Sequence, residues 1–528
     1  MGFRGLIATL PTGLQGFNGS RNPSKLGPGN FSACEGVDID GGVLIKDGGA
    51  EKVNASALSA GIMAGINWSA SPGVNYDVVF LEDGDVLRDD GTGTFATTLA
   101  AALDVPTLFN PFFVVAGGEA VGEPRKLFMF SESNQVQVVE GTGATFAAIA
   151  DPPADWSASF PICGCLHENR LWGAGNAGDP HRLYYSMATD HGDFVDASAG
   201  TLSIFPGEGD QIVGIKSFRG LLLLAKYPRG LYIVDTRDPD RSNWRVDKLN
   251  DAVGGASPHA FLQISNDMLI LDSAGNFHLA STIDDISDIR TSDAGRLQDI
   301  GTFMRANVNL GGLRKANGLW YAAKSKAYFM VPLAGATDNG LRVMIDFNEA
   351  QVGPRFYLSR RDIGNGMWLR RDSTNVERPT IGDDEGFVWI LDQEERNKDG
   401  VAYEMSFETA ETDFEYIDPD IAARTKNGQY IEITADLISN SQLTVTPVWD
   451  GFPGDPIQFQ LGNSGAALGS FVLDSDALAS AGIVTVAHRL PGQGRRLKLM
   501  IENNELDDEV RISEIRVGIG VADERIRD

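Results

Sequence analysis

The sequence predicts an all-β protein: a six- to seven-bladed β-propeller over residues 55–417, a jelly-roll-like C-terminal β-sandwich over 418–528 and an extended N-terminal arm with a first hairpin over 1–54. Three observations carry this. Hairpins recur at an even pace through the middle of the chain. Glycine is abundant, at 61 of 528 residues, and falls mostly in short turn-like clusters, which many short strands require. After Asp418 the pattern becomes apolar–polar alternation, the period of strands buried on one face.

The hairpins come first. Tyr76–Asp90 turns at Asp83-Gly84, residues that tolerate the positive φ of tight hairpins. Lys126–Gly141 turns near Ser133-Asn134, and Asn169–Ser186 around Gly178-Asp179. Leu221–Asp235 turns at Pro228 and Gly230, where proline presets φ and glycine closes the turn. Met268–Ser281 turns at Ala274-Gly275, Gly318–Pro332 near Lys324-Ser325, and Arg378–Asp392 near Asp384–Gly386. The turn centres, near 83, 133, 178, 228, 275, 325 and 385, step by 45–50 residues with one step of 60. A four-stranded propeller blade takes about 40–50 residues, whereas a sandwich turns every 8–12 residues or so without this longer beat.

Helix is scarce; Asp293–Met304 and Asp474–Ala481 are the two short candidates. The C-terminal strands are Tyr430–Leu437, Leu443–Gly451, Ile483–Leu490, Arg495–Asn503 and Val510–Val521. Glu408–Arg424, rich in acidic residues and threonine, separates them from the blades. The first 54 residues are rich in Gly, Pro and Asn and read as an extended arm, equally suited to binding neighbouring subunits or to forming a loose tail, with one hairpin, Phe31–Lys46, turning at Gly41-Gly42.

Net charge is −28 and the pI about 4.6, which argues against a surface meant to hold nucleic acid tightly through clustered Lys and Arg. An acidic wall would instead let a duplex slide, or simply keep a large assembly soluble. Cys34, Cys163 and Cys165 form no disulfide framework; Cys163 and Cys165 share one face of a strand, and buried free thiols suit assembly in a reducing cytoplasm. The first residues lack the apolar core of a secretory signal, and no apolar run of 18 residues predicts a membrane span.

A search for chemistry assigns no catalytic, cofactor-binding or metal-ligating residue. The six histidines form no HExxH pair; His181 and His191 with Asp190 and Asp193 are the nearest approach to a metal set, and loop histidines beside solvated carboxylates are the simpler reading. No nucleophile elbow, P-loop, dinucleotide fingerprint or SxDxGxxxW turn is present. The acidic turns at Asp83–Asp90, Asp383-Asp384 and Asp413–Asp420 lack the calcium-loop spacing. Trp172, Trp320 and Trp389 lie in β-runs, and Trp68, Trp156 and Trp449 near strand ends, where aromatic rings pack between sheets.

Two stretches then match a known pattern. Lys25-Leu26-Gly27-Pro28-Gly29 precedes Gly42-Val43-Leu44-Ile45-Lys46-Asp47-Gly48-Gly49, with Asp47 where the pattern has a basic residue. Cys163–Asp196 combines Asn169-Arg170-Leu171-Trp172, Arg182-Leu183-Tyr184-Tyr185-Ser186 and Gly192-Asp193-Phe194 in order, followed by Gly209–Asp235 as a next blade. Over roughly residues 6–410 the chain resembles the tail nozzle or hub proteins (tail tubular protein B-like or stabilisation-protein-like) of short-tailed bacteriophages. The resemblance implies a non-enzymatic virion protein. It would be a homo-oligomer, expected to be a hexameric ring, at the phage tail. Translocating DNA would pass through the ring without sequence-specific contacts, and adaptor, fibre or needle proteins would attach to it. The alternatives are a peripheral receptor- or carbohydrate-binding propeller, a tail-to-capsid connector or decoration protein, and an esterase or glycosidase on a propeller.

Overall fold

In the computed structural model the described residues are 3–10, 15–19, 22–27, 29–71, 73–117, 124–208, 211–282, 297, 300–348, 353–372, 375–436, 441–461 and 482–522. They divide into two units, one of residues 51–354 and 360–391, the other of 1–50, 355–359 and 392–528.

The larger unit is a seven-bladed β-propeller. Blade 1 orders Thr97–Ala100, Val86–Arg88, Val74–Leu81 and Ile62–Ser71 from rim to axis. From axis to rim, blade 2 is Phe112–Ala116, Lys126–Ser131, Asn134–Glu140 and Ala147–Ala148; blade 3 is Cys163–His167, Arg170–Ala174, Arg182–Tyr185 and Gly200–Ser203. Blade 4 is Ile212–Phe218, Leu221–Lys226, Leu231–Asp235 and Arg245–Asn250, and blade 5 has three strands, Phe261–Ile264, Asp267–Leu271 and Phe277–Leu279. Blade 6 contributes Asn317–Tyr321, Lys326–Pro332 and Asn339–Asp346 to this unit, and blade 7 is Gly366–Arg371, Glu377–Gly382 and Val388–Gln393. Each inner strand packs beside the next, and that of blade 7 beside that of blade 1, so the ring closes.

Strand periodicity explains the stacking. In Lys126–Ser131, Leu127 and Met129 join the core shared with blade 1, while Phe128 and Phe130 join the core shared with blade 3. Leu222 and Leu224 likewise face blade 3, and Leu223 and Ala225 face blade 5. A sheet with both faces buried reads as an unbroken apolar run rather than an alternation, as in Leu221–Ala225. The fit is close: a Cβ on Gly164 would lie 2.4 Å from the Phe130 ring.

Closure is made by residues far apart in sequence. The outer strand of blade 7 is Gly49–Lys52, which leads into blade 1. The Val53 amide donates to Val388 O at 2.8 Å and the Leu58 amide to Gly386 O at 3.0 Å. The buried Asn54 side chain accepts from the Val388 amide at 2.7 Å and donates to Gly386 O at 3.0 Å. Behind this seam, Arg370 of blade 7 lies 3.2 Å from Asp77 and 3.8 Å from Asp89 of blade 1, and Trp368 Nε1 donates to Asp77 at 3.1 Å.

The hairpins predicted from sequence are the second and third strands of blades 1–5 and 7. In blade 6 the predicted hairpin is instead the inner pair, turning at Ser325 with φ 49°. The long step from 325 to 385 follows from this inner turn, while an insertion between blades 5 and 6, where the helix Gly301–Asn307 and the 3₁₀ segment Leu310–Lys315 lie, holds the step before it at 50. The helix candidate Asp293–Met304 therefore appears seven residues long and later than expected, and Asp474–Ala481 lies outside the described residues.

The smaller unit carries two sheets. One orders Ile483–Arg489, Lys426–Asp436, Arg511–Ala522, Val43–Lys46 and Val37–Asp40, with Phe3–Leu10 added to Arg511–Ala522. The other orders Gly16–Phe17, Asn30–Glu35, Met405–Thr409, Leu497–Asn503 and Gln442–Trp449, with Phe452–Pro453 and Ile457–Gln460 on the last. Ile431, Ile433, Leu499, Ile501, Val517 and Ile519 are all fully buried, the inward half of each alternation. This unit joins residues from both ends of the chain, a different division from the segments 1–54, 55–417 and 418–528 read from the sequence. The N-terminal segment is extended, as expected, but Phe3–Leu10 pairs residue for residue with Ile515–Ala522 instead of standing as an arm. Arg355–Ser359 also belongs to this unit, where the Leu358 amide donates to Cys34 Sγ at 3.4 Å and Ser359 Oγ to Glu35 at 2.9 Å.

Asn54→Ala strips two partners from buried backbone groups at the seam and is expected to lower unfolding free energy by about 2–3 kcal/mol. Urea unfolding checks this, with the exposed Ser59→Ala changing stability by less than about 0.5 kcal/mol.

Candidate functional site

The segments that enter the inner strands of blades 2, 5, 6 and 7 meet at one mouth of the ring. Asn110-Pro111 leads into blade 2, the 3₁₀ turn Pro258–Ala260 into blade 5, Lys315-Ala316 into blade 6 and Gly364-Asn365 into blade 7. Blade 2 neighbours blades 1 and 3 only, so its bonds to the others cross the mouth. Asn110 Nδ2 donates to Lys315 O at 3.1 Å and to Asn365 O at 3.2 Å. His259 Nε2–H donates to Pro111 O at 2.9 Å. Around the rim, Ser257 Oγ donates to Ala316 O at 2.5 Å, Asn317 Nδ2 to Asn365 O at 3.2 Å and Asn339 Nδ2 to Lys315 O at 3.1 Å. Where a propeller can hold a ligand on its axis, this one laces the opening with its own amides.

Behind the lacing, Phe112 packs on His259 with ring centroids 5.0 Å apart, and Lys216 Nζ lies 5.1 Å over the Phe112 ring. Burial drives the Lys216 ammonium toward neutrality. Burial also depresses His259, from 6.5 to about 4, so its imidazole is neutral and serves as a strut. Cys163 and Cys165 are free and buried beside Lys216; burial raises both thiols, Cys165 to about 12. Cys34 is likewise free, buried and raised to about 12. A thiol so protonated is a poor nucleophile, and the three are the buried free thiols read from the sequence.

Other residues singled out by sequence are accounted for separately. Among the described residues no three His, Cys, Asp or Glu side chains assemble to hold a metal; His181 Nδ1 instead meets Lys226 Nζ at 3.3 Å and His191 is buried. Asp83 accepts from the Asp85 amide, Asp90 from Thr92 and Asp413 from Glu415, each closing its own turn. Trp172 packs on Tyr185 and Trp244 at 5.0 and 5.7 Å, and Trp156 on Phe194 at 4.8 Å. Trp68 packs on Tyr76 and Trp320 on Phe347, each within its own blade.

Two features went unread. Asp383 accepts from the Glu385 and Phe387 amides and from Trp389 Nε1 at 3.1, 2.7 and 2.7 Å; Asp272 does the same with Ala274, Asn276 and His278 Nε2 at 2.9, 2.8 and 2.8 Å. Both turns spell Asp-x-x-Gly-x-x-(His or Trp), a signal visible in the sequence. The Asp77–Asp89 pair is the second. Asp89 is raised from 3.8 to about 6, first by burial and then by the Asp77 charge, and Asp77 is raised by burial.

No protein-family model matches this sequence, and no curated protein matches it. Among solved structures, it is similar to the computationally designed Ika8 protein (11% identity, TM-score 0.37, covering 71% of this chain and 99% of that one) and to U3-55K (8%, 0.38, 65% and 98%). It is also similar to an exo-β-1,3-galactanase of Phanerochaete chrysosporium (9%, 0.28, 89% and 99%). Likeness at this identity concerns fold alone.

His259 and Asp89 give opposite pH dependences. A depressed imidazole contributes stability above pH 6.5 that is lost as pH falls through about 4. A raised carboxyl contributes stability present below pH 3.8 and lost as pH rises through about 6. Comparing pH 7.5 with about pH 4.5 by urea unfolding, His259→Asn is expected to make acidification less destabilising than in the parent, and Asp89→Asn more so.

Proposed function

We propose that this protein is a structural component of a bacteriophage tail, working by assembly into a ring of like subunits rather than by catalysis. The observation that carries this is the middle motif. Asn169–Trp172, Arg182–Ser186 and Gly192–Phe194 match the tail nozzle and hub pattern in order, and here they form one folding unit. The first two are adjacent strands of blade 3. Arg170 ties them to the following loop through Ser186 O at 2.7 Å and Ser198 O at 2.9 Å. Asp193 caps that loop by accepting from the Val195 and Asp196 amides. The matched residues are therefore those that build the blade, and the match is one of architecture.

Two further observations support an assembly role. The mouth residues are neutral amides and carbonyls already bonded to one another, with a neutral His259 among them. With the opening laced, a duplex would pass between subunits of the ring, not along the propeller axis. The net charge of −28 suits such a passage, since like charge keeps a duplex from adhering. A ring follows from one heterologous interface whose rotation closes.

The test is electron microscopy of the purified full chain, with sedimentation to count subunits, and immunogold labelling of virions. The expected result is a closed ring of about six copies, by the resemblance, lying coaxial with the tail. A monomer at micromolar concentration, labelled at the particle periphery, would contradict the proposal and favour a receptor-binding propeller.

A further inference from the structure

At the laced mouth, Asn110, Asn317 and Asn339 are 2%, 1% and 6% exposed. Their orientation is fixed, because each Nδ2 is committed to backbone carbonyls: Asn110 to Lys315 O and Asn365 O, Asn317 to Asn365 O, and Asn339 to Lys315 O and Gly364 O. Turning any amide over would set its oxygen against a carbonyl. The three Oδ1 atoms are thereby left buried with no hydrogen-bond partner. The amides also lie close together. Asn110 and Asn317 share one acceptor at 3.2 Å each, and Asn110 and Asn339 share another at 3.1 Å each.

A buried amide oxygen without a partner is costly, and the carbonyls shared by the three Nδ2 groups hold the amides near one another. Water has two protons, so one molecule cannot satisfy three acceptors. A hard cation can, since amide and backbone carbonyl oxygens are its ordinary ligands. Beyond the structural role above, we infer that the mouth of the propeller is a cation site whose ligands are Asn110, Asn317 and Asn339 Oδ1, a neutral oxygen set suited to Na⁺, K⁺ or weakly held Ca²⁺.

Charge around the amides is balanced: Asp338 lies 3.3 Å from Lys315 Nζ and 3.5 Å from Asn365 Nδ2, and Glu82 is raised by burial and by the Asp338 and Asp384 charges while Lys315 lowers it. Lys216, whose charge acts on His259, sits over the Phe112 ring and is pushed toward neutrality by its own burial. The site would fasten blade 2 to blade 6 across the mouth.

The full-length protein is dialysed into tetramethylammonium chloride and titrated with NaCl, KCl or CaCl₂ at constant ionic strength while thermal unfolding is followed. One metal is expected to raise Tm saturably by several degrees, because it binds the folded chain alone. The metal that does so identifies the occupant. Asn317→Ala is expected to abolish the rise. Should that variant not fold, crystals of the parent protein grown in thallium(I) or rubidium decide, with an anomalous peak expected within about 3 Å of the three oxygens. Equal unfolding in every salt, or water density alone between the amides, would overturn the inference.

Discussion

Burial of both faces of every propeller sheet is the constraint on which the rest of this molecule depends. Leu127 and Met129 leave one face of blade 2 while Phe128 and Phe130 leave the other, and each set finds its core only in a neighbouring blade. At about 25 cal/mol per Å² of apolar surface removed from water, no blade could bear one such face exposed. An open row would leave two, one at each end. The chain meets the requirement by completing blade 7 with residues that lead into blade 1, and by setting Trp368 and Arg370 against Asp77 and Asp89 across the join. At the join the guanidinium and the indole N–H supply partners to this buried carboxyl pair.

How much of this could be read in advance follows from distance along the chain. The hairpins were legible because both strands and their turn are contiguous, as at Asp83-Gly84 and Ala274-Gly275, where glycine takes φ of 88° and 80°. In blade 6 the turn Ala322–Ser325 was also legible but belongs to the inner pair, since a local signal shows that two strands pair and not which ones. Pairing between Phe3–Leu10 and Ile515–Ala522 leaves no local trace. The Gly- and Pro-rich composition of the first residues pointed to an arm, and tertiary pairing overrode it. The same holds for Gly49–Lys52, whose partner strand lies more than 300 residues later.

The mouth was hidden for a related reason. Asn317-Gly318, Asn339-Gly340 and Asn365-Gly366 read as ordinary turn dipeptides, and Asn110-Pro111 as a turn start. In the fold all four stand at the head of a strand instead of at a hairpin tip. Gly318 is needed there because a Cβ would fall 2.8 Å from His259 O. Asparagine suits the mouth for its bifunctional amide, which donates to a carbonyl across the opening while keeping an acceptor free. The same local capping holds the acidic turns: Asp272 and Asp383 each satisfy two backbone amides and one ring N–H.

Closure of the ring is tested most directly by native-state hydrogen exchange of the full chain. If the seven sheets stand or fall together, the amides of Val53, Leu58, Ile62 and Val388, which bridge the seam, exchange with the same opening free energy as the central strands of blade 3. Exchange at the seam that runs well ahead of blade 3, with blade 7 opening while the other blades stay protected, would contradict the account.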